Sequence, residues 1–433
     1  MKSIGPLLFS SITGIVCEKL VAAVAAVVGN HLFANIYGPQ LFGELQFALA
    51  LSFAIGSAAL VFSAQAVAPI LSKHPRLRHL VYYRIFRLRL VSTLGVMLIF
   101  ALGAWLVMDQ ASAEFTLVVG LVLIVEPFAL GILMAYAERQ PWVVTRAKTL
   151  ASAARVLWIF TAAHFSAGAI IAALAWPLEG CIAVAGPFRR YSKLALHAPK
   201  SFLGDDVVKR ALVVHGLKLW PAVAASTLII RLDRILLAML MSKTDLGIYS
   251  AAASLIEQLN SIGMALAFAL APSMVFVARN EVQLRAKALK LGLYLGLLGT
   301  VAFVGSVAIG HAAFMMIYGP RFEAGAPVMI FMTACSIATF ADAGLATWLI
   351  AARRYRLILI KQGLTLAAIA ASPFVVPQTA IMYAPAAAIA LSLMVFWCVI
   401  YGQTAYRTSK RPTSSASTSL PEPNGRDVQQ RRS

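Results

Sequence analysis

The sequence predicts an all-α polytopic membrane protein: about twelve transmembrane helices in two sets of six. Three observations predict it. The 433-residue chain is 60% hydrophobic and only 12% charged, whereas an ordinary soluble domain is about 25% charged. Apolar stretches of about 20 residues, each enough to cross a hydrocarbon core of about 30 Å, recur from end to end. The basic residues concentrate in alternate connections between those stretches.

Spans are expected near 11–34, 44–71, 83–107, 113–138, 147–165, 168–188, 213–241, 246–277, 290–310, 323–351, 357–376 and 380–405. The connections 72–89, 138–148, 189–210, 278–290 and 352–361, with the tail and Lys2, hold 30 of the 37 Lys and Arg. The opposite connections hold only Lys243 and Arg321. Positive residues stay on the cytoplasmic side, so both termini are expected in the cytoplasm of a cell with a multi-pass inner (cytoplasmic) membrane protein. The same distribution accounts for the net charge of +20 without a nucleic-acid partner. MKSIGPLLFSS runs into the first span with no small-residue cleavage site, so that span is expected to stay.

The longest polar connection, 189–212, divides the chain into an N-terminal half, 1–188, and a C-terminal half, 213–406. The tail, 407–433, has the Ser, Pro and charge content of a disordered segment. Gly43 and Gly247 each open a small-residue helix just past an outer connection, as structural turn residues. They lie six spans apart, and an even number of spans keeps orientation, so a repeat relating them is parallel. IYGP occurs at 36–39 and again at 317–320, where Pro and Gly read as turn chemistry. Cys17, Cys181, Cys335 and Cys398 fall inside spans without CxxC or Cys/His spacing, so neither disulfide nor metal is expected.

The stretch IIRLDRILL (229–237) places Arg231, Asp233 and Arg234 inside the seventh span. A centred charge costs roughly 2.5–3.5 kcal/mol to insert and each aliphatic returns about 0.3–0.6, so three charges outweigh the ten aliphatics around them. They must face the bundle or a wet cavity. At about 100° per residue Arg231 and Arg234 share a helix face, while Asp233 points elsewhere. Glu257 lies at the depth of Arg231 in the antiparallel eighth span, which makes a pair sterically reasonable. Two guanidinium groups on one face suit an anion with several oxygens, such as a phosphate; the competing reading is an ion network that fixes helix register.

Glu18 and Lys19, in the inner half of the first span, read either as a cavity-lining pair or as an inner-surface anchor. Glu126, Glu179 and Asp342 read as proton carriers or as carboxyls hydrogen-bonded at helix interfaces. Arg155 reads as a snorkelling side chain, and His164 and His215 as interfacial. No DxD-like acidic pair stands in an outer connection, and no Walker A motif or Gly-rich nucleotide fingerprint occurs, so a non-enzyme without cofactors is expected.

With YGPQLFGELQFALALSFAIG after the first span and STLIIRLDRILLAMLMSKTDLGIYSAAASLIEQL across the seventh and eighth, residues 5–405 resemble the polysaccharide repeat-unit flippases. These are the Wzx-like, O-antigen translocase members of the multidrug/oligosaccharidyl-lipid/polysaccharide exporter superfamily. FANIYGP departs from many of them in having Asn35 where they carry a basic residue. The resemblance implies two six-helix bundles, related as a parallel repeat, around a central cavity lined chiefly by the first, second, seventh and eighth spans. It also implies a substrate, an undecaprenyl-diphosphate-linked oligosaccharide, moved to the periplasmic leaflet for O-antigen, capsule or exopolysaccharide (lipopolysaccharide or polysaccharide) synthesis, beside a polymerase and a chain-length regulator.

On that basis Arg231, Arg234 and Lys19 are expected to hold the diphosphate, and Asp233, Glu257 and Glu18 to couple ions or pair charges. Replacing both arginines by Ala is expected to stop transport without disturbing insertion. Two alternatives remain: a multidrug/cation antiporter of the same superfamily, and a membrane glycan polymerase, which would need a large outer loop.

Overall fold

A computed structural model describes residues 4–58, 78–138, 140–196, 214, 217 and 220–409, with side chains at 17, 19–58, 81–138, 140–193, 214, 217 and 220–403. The tail beyond 409, the core of the 189–212 connection, His215, Lys218 and the Glu18 side chain therefore lie outside the described residues. Among those described, regular structure is helical throughout. Contacts group the chain into two units, Met1–Leu393 and Met394–Ser433.

The first helix, α1 (Ile4–Gly56), is two limbs joined at a kink. Gly38 takes φ 81° and ψ 173° there, a region essentially closed to residues with a Cβ. Pro39 then starts the second limb, where its missing N–H costs nothing. The second IYGP repeats the device: Gly319 adopts φ 76° and ψ 179°, and Pro320 begins a 3₁₀ turn. The turn chemistry belongs to these two glycines, whereas Gly43 and Gly247 sit inside helices.

After α2 (Arg78–Val107) the chain turns at Asp109, which caps α3 (Gln110–Gly120) by accepting from the Ser112 amide. That bond, with the one to the Ser112 hydroxyl, holds the Asp109 carboxyl below its ordinary range. The fourth span then breaks: a 3₁₀ turn over Leu121–Val125 and irregular backbone lead to α4 (Leu130–Ala137). Pro127 causes this by removing a donor from the helical ladder. Next come α5 (Pro141–His164), α6 (Ala169–Ala173) and α7 (Ala175–Leu196).

In the second half α8 (Trp220–Ile229) is separated by one turn from α9 (Leu232–Ala238). Ser242 caps α10 (Lys243–Met274), and Asn280 caps α11 (Glu281–Tyr318). α12 (Gly325–Ala351), α13 (Tyr355–Val375) and α14 (Ala384–Ser409) complete the chain. Among the described residues, nine helical segments are long and apolar enough to cross a membrane. One of them contains both limbs of α1, and α5 and the broken α8–α9 segment stand beside them, in agreement with the twelve crossings read from the sequence.

Two cations expected near the membrane surface are buried in spans. Arg89 lies within α2 and donates to the Glu126 carbonyl at 3.3 Å. Lys361 lies within α13 and binds both carboxylate oxygens of Asp342 at 2.7 Å. α10 packs along α1 and α12, and α5 packs against α1 and α7. These contacts enclose the candidate site.

Candidate functional site

The break between α8 and α9 spans Ile230 and Arg231, and Arg231 takes a φ of −125° and ψ of −14° there. Its guanidinium donates to Glu257 Oε1 on α10 at 3.2 Å and stands 5.3 Å from the Phe53 ring of α1. One turn on, Arg234 donates to the same oxygen at 2.5 Å. The two arginines do not share an environment. Arg234 is fully buried, whereas the Arg231 side chain keeps 20% of its surface.

Arg231 and Glu257 line a polar cavity of about 540 Å³; Arg234 is behind them and does not line it. The first limb of α1 contributes Asn30 and the second contributes Gln46 and Phe53. The break in the fourth span contributes Glu126, and α5 contributes Lys148, Ser152 and Arg155. Trp176 and Glu179 come from α7, Thr227 from α8, and Ser254 and Gln258 from α10. Both broken spans therefore bend at the cavity, where irregular backbone is tolerated because it does not face lipid.

Asp233 turns away, as its position on the helix requires. It accepts from the Tyr249 hydroxyl at 2.6 Å and lines a second, mostly apolar pocket of about 240 Å³. Its other oxygen has no partner among the described residues. Glu257 borders both spaces, so one carboxylate separates the polar cavity from the apolar pocket. Lys19 is exposed on α1 and lines neither space.

Arg155, expected to snorkel, instead points inward. It donates to Glu179 at 2.5 Å and to the Ala25 carbonyl of α1 at 2.5 Å, and stacks 5.8 Å from Trp176. Ser152 holds the other Glu179 oxygen at 3.0 Å. Gly29 leaves the notch that admits the guanidinium, because a Cβ there would stand 2.8 Å from Arg155 Nε. This second cation was missed, as were the amides of Asn30, Gln46 and Gln258.

The Arg155 pair carries a stability prediction. Arg155→Ala removes a buried cation and leaves the partly buried Glu179, 23% exposed at the cavity wall, without its partner, at an expected cost of about 1–3 kcal/mol. Adding Glu179→Ala should recover much of that loss, because the uncompensated charge is then gone. Thermal unfolding of the purified protein in detergent checks it; strictly additive losses would show that the two residues do not interact.

No protein-family profile matches the chain, and no curated protein matches it. Solved structures do. The chain is similar to the lipid II flippase MurJ in an inward closed conformation, with TM-score 0.63, 11% identity, and 91% and 87% of the two chains covered. The MATE transporter VcmN of Vibrio cholerae in its bent form gives TM-score 0.58 at 11% identity, over 93% of this chain and 97% of that one. The MATE multidrug transporter DinF-BH gives 0.55 at 17% identity, over 93% and 96%. At these identities the likeness defines the fold: the chain has the polytopic fold of this group of membrane transporters.

Proposed function

We propose that the chain is a flippase of the multidrug/oligosaccharidyl-lipid/polysaccharide exporter superfamily that carries an undecaprenyl-diphosphate-linked oligosaccharide across a bacterial inner membrane. The observation that carries this reading is the unequal pair of arginines on one carboxylate. Arg231 faces the cavity and holds Glu257 at 3.2 Å, while buried Arg234 holds it at 2.5 Å. An arriving phosphate can take Arg231 from Glu257 without stranding the carboxylate, because Arg234 keeps it. A guanidinium then meets phosphate oxygens with paired hydrogen bonds. The amides of Asn30, Gln46 and Gln258 offer donors and acceptors to sugar hydroxyls, beside the Trp176 and Phe53 rings.

In this reading the halves 1–188 and 213–406 rock about the 189–212 connection, with both termini cytoplasmic. Lys19 meets the diphosphate at the cytoplasmic side. Protonation or cation binding at Asp233 and Glu257, with Glu18 below, couples the cycle to an ion gradient. The lipid-linked product passes to a polymerase and chain-length regulator. The likeness in fold to the lipid II flippase MurJ supports a lipid-linked substrate.

A second reading, export of a lipophilic cation, has its own observation: Asp233 and Glu257 share the apolar pocket with Met264 and Met332. One experiment separates the two. The protein is depleted in its host, lipid-linked oligosaccharides are extracted, and a sided probe on spheroplasts reports their leaflet. Retention on the cytoplasmic leaflet is expected. Normal outward display in a host without a redundant flippase, together with loss of cationic dye efflux, would transfer the assignment to the second reading.

A further inference from the structure

A groove of about 650 Å³ runs along the membrane-facing seam between α1 and α5. Leu20, Val24 and Val28 form one wall, and Ala153, Leu157 and Phe160 the other. All are apolar, and Val24, Leu157 and Phe160 keep more than half their surface. From Leu20 to Leu32, both of which line it, twelve residues at 1.5 Å per residue give about 18 Å of groove. That is more than half of a ~30 Å hydrocarbon core. A chain lying in it crosses the bilayer midplane.

The groove adjoins the polar cavity. Ser152 borders both spaces. On α1 the division between them runs through small residues: Ala22 and Ala26 face the cavity, while Ala25 faces the groove. The same Ala25 offers its carbonyl to Arg155 at 2.5 Å. Arg155 is itself more than nine-tenths buried, and its Nε has no partner among the described residues. An apolar channel thus lies one thin helix face from a cation with a spare donor.

We propose that this groove holds the isoprenoid chain of the cavity's own ligand, with its anionic end in the polar cavity that Arg155 and Arg231 both line. The inference rests on the flippase reading and goes beyond it by assigning the tail a track within the N-terminal half. Lipid tails are as apolar as the groove, so the groove adds fit and direction rather than a hydrophobic driving force. Specific occupancy therefore depends on the head group. Because the groove passes the midplane, the tail stays on one surface while the head group changes leaflet.

The test uses the full-length protein in vesicles of a single phospholipid, a polyprenyl diphosphate carrying a diazirine on its chain, irradiation, and peptide mapping. Label on α1 around Val24 and Val28 and on α5 around Ala153 and Leu157 is expected, competed by unlabelled polyprenyl diphosphate and not by added phospholipid. Ala153→Trp, at a membrane-facing position, should reduce that label at least ten-fold; Ala153→Leu serves if the larger side chain lowers yield. Competable label mapping to other helices would overturn the groove assignment and leave the flippase reading in place. Label competed equally by phospholipid would reduce the groove to a general lipid slot and overturn it. Absence of competable label anywhere on the protein would overturn both.

Discussion

Arg231→Ala is expected to abolish transport in a protein that still folds, whereas Arg234→Ala is expected to lose the fold along with the activity. The two residues are three apart, Arg231 at the break and Arg234 in the first turn of α9, and contact the same oxygen of Glu257. What separates them is burial. Removing Arg231 takes away a partly exposed cation at 3.2 Å and leaves Glu257 with the closer partner, Arg234. The expected stability loss is no more than about 1 kcal/mol, as for other solvent-reached pairs.

Removing Arg234 takes away the closer cation and leaves a fully buried gap beside the carboxylate, at about 3–5 kcal/mol. A typical domain has only about 5–15 kcal/mol in total. Replacing both residues, which the sequence suggested as a clean test of transport, would therefore confound the two effects. Unfolding temperature in detergent, paired with the leaflet assay on each single variant, resolves them. An Arg231→Ala protein that flips at the full rate would exclude the diphosphate role, and an Arg234→Ala protein as stable as its parent would exclude the structural one. Arg231→Lys should retain part of the activity, since the charge stays but the paired hydrogen bonds do not.

The contrast shows what the sequence could and could not disclose. Insertion cost alone places Arg231, Asp233 and Arg234 away from lipid, and matched depth in antiparallel spans brings Glu257 to Arg231. The same depth argument was open for Arg155 and Glu179, each about nine residues from the inner end of its span, yet a cation at that depth can also snorkel. Depth does not decide between those two fates. Rotation about the helix axis does, and Gly29 fixes it by opening a notch that only the folded packing reveals. The break in the fourth span has a sequence signal, Pro127, which the expected uninterrupted span 113–138 passes over. The break at Arg231 has none, because IIRLDR contains neither Pro nor Gly. Gly43 and Gly247 were recognisable as a repeat, but nothing in a repeat says that its two copies touch.

They do touch, and the contact makes the second large prediction: Gly43→Ala or Gly247→Ala should shift the protein toward a state open at the end that charge placement assigns to the outside. A Cβ on Gly43 would run into the Lys243 carbonyl oxygen and stand 2.9 Å from the Gly247 nitrogen. A Cβ on Gly247 would run into the Pro39 carbonyl and stand 3.1 Å from the Gly43 nitrogen. Backbone opposes backbone on both sides, so no side chain can rotate away and the helices must part. Overpacking of this kind costs about 1–3 kcal/mol, which for a two-state equilibrium is a shift of roughly 5- to 150-fold.

Around the crossing, Phe42 packs against Tyr318 and Phe322, each 6.1 Å away between ring centroids, and Asn35 donates to the Ile317 carbonyl at 3.0 Å. Asn35 thus spends its side chain on this closure, away from the cavity lining. Lys243 binds the Glu44 carboxylate and reaches Ser112 at 3.0 Å, but its side chain is 49% exposed. An exposed pair contributes at most about 1 kcal/mol, so Lys243→Ala should open this end less than either glycine variant does. A Ser254→Cys reporter in a background free of the native cysteines measures all three, since Ser254 lines the cavity and is bonded to Tyr318. Its labelling by a membrane-impermeant maleimide from outside should rise most for the glycine variants. If Lys243→Ala raises labelling more than Gly43→Ala, the ion pair and not the backbone crossing holds this end shut.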